Sequence, residues 1–71
     1  MATEVTAPVT GTVWKIEKRA GDAVAAGEPV MILESMKMEV PVESPATGTV
    51  TSLTRAEGDP VEEGDVVAII E

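Results

Sequence analysis

Pro8-Val-Thr-Gly-Thr-Val13 returns as Pro45-Ala-Thr-Gly-Thr-Val50, and the spacing of 37 between the two holds far beyond these residues. Laid over one another without a gap, residues 5–34 and 42–71 agree at Val5/Val42, Pro8/Pro45, Thr10/Thr47, Gly11/Gly48, Thr12/Thr49, Val13/Val50, Gly21/Gly58, Asp22/Asp59, Val24/Val61, Gly27/Gly64, Val30/Val67, Ile32/Ile69 and Glu34/Glu71, which is 13 of 30 positions. Ile16/Leu53, Lys18/Arg55, Glu28/Asp65 and Leu33/Ile70 keep their chemical class as well. Between the copies stand residues 35–41, with Lys37 held between Met36 and Met38. A repeated pattern implies a repeated backbone, so each local reading in one half is checked by its twin in the other.

Valine, isoleucine and threonine fill the periodic stretches and Gly and Pro punctuate them closely, which favours many short strands over helices. Eight strands are expected, near 3–7, 11–18, 23–25, 29–35, 38–44, 48–55, 60–62 and 66–71. Gly21, Gly27, Gly58 and Gly64 supply the positive φ that tight turns between them need. The alanines of 20–27 tolerate a helix, but the aligned stretch 57–64 contains Pro60 and its own Gly-Asp step, so the repeat argues against one. Val13 and Ile16 are three apart, as are Val50 and Leu53, which breaks period-two alternation at equivalent places and predicts a bulge in each.

Neither copy has the apolar surface to close on itself. The expected architecture is all-β, two four-stranded antiparallel sheets related by a pseudo-twofold axis, with valine and isoleucine between them. Trp14, the one aromatic residue, aligns with Thr51 and so breaks the symmetry; it either covers one end of the core or belongs to a contact surface.

At 71 residues the chain buries only about 60 % of its unfolded surface, too little to build a deep cleft. It has no Cys and no His, which removes disulfides, thiolate nucleophiles, zinc sites and imidazole acid/base chemistry. The net charge of −8 argues against nucleic acid and anionic membrane as partners, since phosphate repels such a surface. The charge is uneven: residues 1–37 hold five acids and four bases, residues 38–71 eight acids and Arg55 alone. That half is either a solubilising face or a dock for a basic protein. The opening Met-Ala-Thr-Glu is neither basic nor apolar and no apolar run nears the roughly 20 residues of a membrane span, so a cytoplasmic protein is the default expectation.

Pro29-Val-Met-Ile-Leu-Glu34 and Met38-Glu-Val-Pro-Val-Glu43 read as neighbouring strands joined by a tight reversal at Met36-Lys37. Two-residue hairpin turns favour Asn-Gly, Asp-Gly or Gly-X because their central residues need positive φ, and Met-Lys is poor chemistry for that purpose. A departure from turn rules in a chain that elsewhere places Gly at its reversals points to function. Lys37 at the apex is open to another protein. Met36 and Met38 either tuck into the edge of the core or offer flexible apolar contact to a partner, and Glu34 and Glu39 are either solvated strand residues or part of that recognition.

The run Glu34-Ser-Met-Lys-Met-Glu-Val40, preceded by Gly-Asp-x-Val-x-x-Gly at 21–27 and followed by it at 58–64, resembles the biotinyl domain of biotin-dependent carboxylases over essentially the whole chain, and most of all the free-standing biotin/lipoyl attachment proteins and biotin carboxyl carrier subunits. The resemblance implies a barrel-sandwich hybrid fold forming a single biotinyl domain over 1–71. It also implies that Lys37 is amide-linked to biotin by a biotin protein ligase, with Glu34, Ser35, Met36, Met38 and Glu39 read by that ligase. The family's usual residue at position 35 is Ala, where this chain has Ser. Some members insert a thumb between the second and third strands, and the gapless alignment of the halves leaves no room for one. Function by this resemblance is that of a biotin carboxyl carrier with no catalytic residues of its own, taking a carboxyl group from a biotin carboxylase site to a carboxyltransferase site. The alternatives are a lipoyl-bearing acyl carrier, whose usual motif is Asp-Lys-Ala, and an unmodified acidic module that binds a basic protein.

Overall fold

A computed structural model describes residues 2–71, and its described residues form eight strands and no helix: β1 (Thr3–Thr6), β2 (Gly11–Ile16), β3 (Ala23–Val24), β4 (Pro29–Ser35), β5 (Met38–Glu43), β6 (Gly48–Leu53), β7 (Pro60–Val61) and β8 (Val66–Ile70). Most of the expected strands end one or two residues late, because the chain leaves the ladder as soon as a turn begins. Beyond Ile16, for instance, both Glu17 and Lys18 donate their N–H to the single carbonyl of Val30.

The strands form two four-stranded antiparallel sheets, in the orders β1-β8-β6-β3 and β5-β4-β2-β7. The duplication maps β1 onto β5, β2 onto β6, β3 onto β7 and β4 onto β8, and so turns each sheet into the other. Each sheet takes two strands from either copy, so one copy by itself completes neither sheet. Register breaks recur in twin places. β2 slips against β4 between Val13 and Lys15, and β6 against β8 between Val50 and Ser52, which makes Trp14 and Thr51 the extra residues of the two expected bulges.

The inner faces meet in one cluster that holds Val5, Val13, Val24, Val30, Met31 and Leu33 from the first copy and their twins Val42, Val50, Val61, Val67, Ala68 and Ile70 from the second. Met31 has the smaller Ala68 as its twin, so the two copies do not match side-chain volume position by position. Burying each such aliphatic side chain is worth about 1.5–3 kcal/mol, and these contacts hold the sheets together. Among the described residues Ser44 is the buried polar one, and its hydroxyl donates to the carbonyl of Ala46 at 2.6 Å.

Four turns are built alike. In 19–22, 25–28, 56–59 and 62–65 the last residue donates its N–H to the first residue's carbonyl, and the last residue's carboxylate accepts the first residue's N–H at 2.7–2.9 Å. The third residue of each is glycine at φ between 90° and 97°, where a side chain is costly. Asp22, Glu28, Asp59 and Asp65 are therefore turn locks, which accounts for part of the acidic excess structurally.

Candidate functional site

β4 and β5 pair as Leu33↔Val40, Glu34↔Glu39 and Ser35↔Met38, which leaves Met36 and Lys37 as the two loop residues of a hairpin. Their φ angles are +53° and +65°, and among the described residues they are the non-glycine positions with positive φ. Two left-handed residues in succession make the mirror-image turn that suits the right-handed twist of paired strands. Each costs roughly 1–2 kcal/mol for an L-residue with a side chain, so the long β4–β5 ladder and the core beneath it must hold the turn in place.

The side chains at this apex face water. Met36 is 90 % exposed and Met38 63 % exposed, so neither tucks into the core. Lys37 is exposed, and among the described residues its ammonium takes part in none of the ion pairs. No pocket opens among the described residues, so whatever acts on Lys37 must bring its own enclosure.

Below the apex, Glu34 and Glu39 face each other across the ladder, both exposed. Like charges directly opposite one another destabilise a sheet slightly. Nothing in the packing calls for two acids there. Ser35 does have a structural tie: its hydroxyl donates to the carbonyl of Thr10 at 2.8 Å, while the Thr10 hydroxyl accepts from the N–H of Glu63 at 3.1 Å. The Thr10 bond has a twin in Ala26 N–H to Thr47 Oγ1 at 3.0 Å, but the Ser35 bond has none among the described residues. Gly11 lies against the same hairpin base; a Cβ there would collide with the backbone of Glu34, as one at Gly48 would collide with the carbonyl of Glu71 at 2.6 Å.

A profile described as biotin-requiring enzyme, Biotin_lipoyl, matches residues 1–70. The chain belongs to the biotin/lipoyl attachment family. Among curated relatives, the biotin/lipoyl attachment protein of Bacillus subtilis is 47 % identical over 38 residues, 54 % of this chain and 52 % of that protein. The methylmalonyl-CoA carboxyltransferase 1.3S subunit of Propionibacterium freudenreichii subsp. shermanii is 56 % identical over 36 residues, 51 % of this chain and 29 % of that subunit. The matched stretch thus spans about half or less of these relatives. In the solved structure of urea carboxylase from Kluyveromyces lactis, 6 % of that chain superposes on all of this one with a TM-score of 0.94 and 39 % identity. These likenesses support the sandwich of two four-stranded sheets expected of a biotinyl domain.

Within this member of the biotin/lipoyl attachment family the structure brings together all the residues singled out in the sequence: Glu34, Ser35, Met36, Lys37, Met38 and Glu39 occupy one hairpin. Sequence reasoning missed Thr10 and Gly11, which brace the hairpin from β2 and the loop before it. Their signal was present in the repeated Thr-Gly of 10–11 and 47–48, where a glycine that is not at a turn marks a close backbone approach. The linker that a thumb would occupy is residues 17–22, which contain a single locked turn. No helix among the described residues is long and apolar enough to cross a membrane.

Proposed function

We propose that residues 1–71 act as one biotinyl domain that carries biotin in amide linkage on Lys37 and serves as a biotin carboxyl carrier. The observation that carries this reading is the strained apex: an exposed lysine, unpaired among the described residues, held in a left-handed turn between two exposed methionines, in a chain that puts glycine at its other turns. In the attachment step the Lys37 ammonium gives up a proton to the ligase or solvent. Its Nζ lone pair would then attack the ATP-activated carboxyl carbon of biotin, a C–N bond forming as the activating group leaves with the C–O electrons and the nitrogen sheds a second proton to give the neutral amide.

When bound, biotin supplies a ureido nitrogen that accepts and releases a carboxyl group, and so links a biotin carboxylase to a carboxyltransferase. The chain's own contribution is mechanical. The β4–β5 ladder and Gly11 hold the apex still, Met36 and Met38 present apolar contact beside the amine, and Glu34 and Glu39 set a negative field below it. A group on such a stalk meets its enzymes at an effective concentration on the order of millimolar once the carrier is docked or fused in a complex. Partners of this kind are favoured by the names of the relatives, which include a carboxyltransferase subunit and a urea carboxylase.

Co-expression with a biotin protein ligase and intact-mass measurement tests the reading. The expected product is a single adduct that vanishes in Lys37→Arg and persists when Lys15 or Lys18 is replaced by arginine. An adduct that survives Lys37→Arg refutes the assignment. The attachment protein from Bacillus subtilis is named for lipoate as well as biotin, so a lipoate ligase belongs in the same experiment. Lipoylation without biotinylation would move the domain to the acyl carriers.

A further inference from the structure

The two sheets are related by the internal twofold, yet their outer faces differ. On the β5-β4-β2-β7 sheet the bulge sets Trp14 and Lys15 side by side facing outward, opposite Ile32 of β4, which in turn pairs with Pro41 of β5. Trp14 is 51 % exposed and lies outside the buried cluster, so it is not the cover for the core. The twin row on the other sheet reads Thr51 and Ser52, Ile69 and Glu4. There the Thr51 hydroxyl is satisfied by the carbonyl of Ile69 at 3.3 Å. The same bulge therefore stands with threonine in one copy, and folding does not demand an indole in the other.

Two residues further along β4, about 7 Å toward the apex, comes the acidic row Glu34 and Glu39. Lys15 adds little positive charge to this face because it is paired with Glu17 at 3.4 Å. One sheet face thus runs from the Lys37 amine through an acidic row to an apolar row, whereas the twofold-related face keeps Ile69 and Glu71 but has Thr51, Ser52 and Glu4 where this one has Trp14, Lys15 and Pro41.

Resting on the assignment of Lys37 as the attachment site, we infer that this face is where the biotin protein ligase docks, its surface offering an apolar pocket for the Trp14 indole and Arg or Lys side chains opposite Glu34 and Glu39. The charge of the face excludes an acidic partner and fits a basic one. The ligase fits better than the carboxylase enzymes for a geometric reason. It must take in a bare lysine side chain, which is short, so the body behind the apex comes against it. Enzymes that act on the finished, longer arm can reach its end with the sheet held farther away. An exposed tryptophan at the centre of a contact is the kind of residue that dominates binding energy.

The internal twin provides the test, since Trp14→Thr installs a residue this bulge already accommodates at Thr51. Steady-state biotin transfer to the apo domain should show KM for Trp14→Thr raised about tenfold or more, with kcat within about twofold. Thr51→Trp should change neither parameter, and Trp14→Thr/Thr51→Trp should not restore KM. With fluorine-labelled tryptophan in the Lys37→Arg domain, which binds without reacting, the single indole resonance should shift and saturate as ligase is added. A KM within about twofold of the parent, recovery in the double variant, or an unmoved resonance overturns the inference. Self-association of the apo domain that disappears in Trp14→Thr would also overturn it, by making a second copy the occupant. If the parent domain takes no biotin at all, the Lys37 reading fails, and the resonance arm then decides the surface by itself.

Discussion

The two ends of this sandwich are built from the same sequence and finished differently. At one end Gly48 fits under the Glu71 carbonyl, Thr49 and Glu71 exchange backbone bonds, and Thr3 pairs with Ile70, so the described ends of the chain lie side by side. At the twin end Gly11 fits under Glu34 in the same way, but the chain continues through Met36 and Lys37 in a turn that both residues resist. The first end is what the duplicated pattern does when left to stability alone. The second carries strain, two opposed glutamates and two exposed methionines, all near one amine. What is added at one end of a pseudo-symmetric body, against local preference, marks the working part.

The sharpest way to break the comparison is Lys37→Arg, which should abolish biotinylation while moving the thermal midpoint by no more than about 2–4 °C, because an exposed apex side chain contributes within about ±0.5 kcal/mol. Intact mass and a melting curve read both quantities. Next come the twin glycines. Gly11→Ala and Gly48→Ala each force a Cβ into a carbonyl and should cost about 1–3 kcal/mol in urea titration. Only Gly11→Ala should also slow modification of Lys37, and equal slowing in both would deny the hairpin its special bracing. A smaller effect of opposite sign is expected at the apex: Met36→Gly relieves a left-handed side chain and should gain up to about 1 kcal/mol, whereas Gly58→Ala, at φ +93°, should lose about that much. If Met36→Gly destabilises instead, the turn is not strained in the way its angles imply. The smallest change is Ser35→Ala, which removes the solvent-exposed bond to Thr10 and should cost about 0.5 kcal/mol in the same titration.

Much of the fold is legible in the sequence. The gapless alignment located all eight strands, and Gly21, Gly27, Gly58 and Gly64 marked turns because only glycine takes their φ cheaply. The Val13/Ile16 and Val50/Leu53 spacings revealed both bulges, since an extra residue must interrupt period two. The candidate site was legible as a breach of turn chemistry at Met36-Lys37. Trp14 was ambiguous because a bulge residue can point either way, and one-dimensional spacing does not say which. The bond from Ser35 to Thr10 was out of sight because it spans 25 residues of chain.

Local backbone preference and side-chain period are properties of a few neighbouring residues, and these the sequence determined by itself: strand, turn, bulge and the odd reversal around Lys37. Which strands become neighbours depends on burying apolar area between segments far apart in the chain, and that was decided only in three dimensions. There the copies exchange strands, the two outer faces part company, and a lysine is held at the tip with both of its methionines in water.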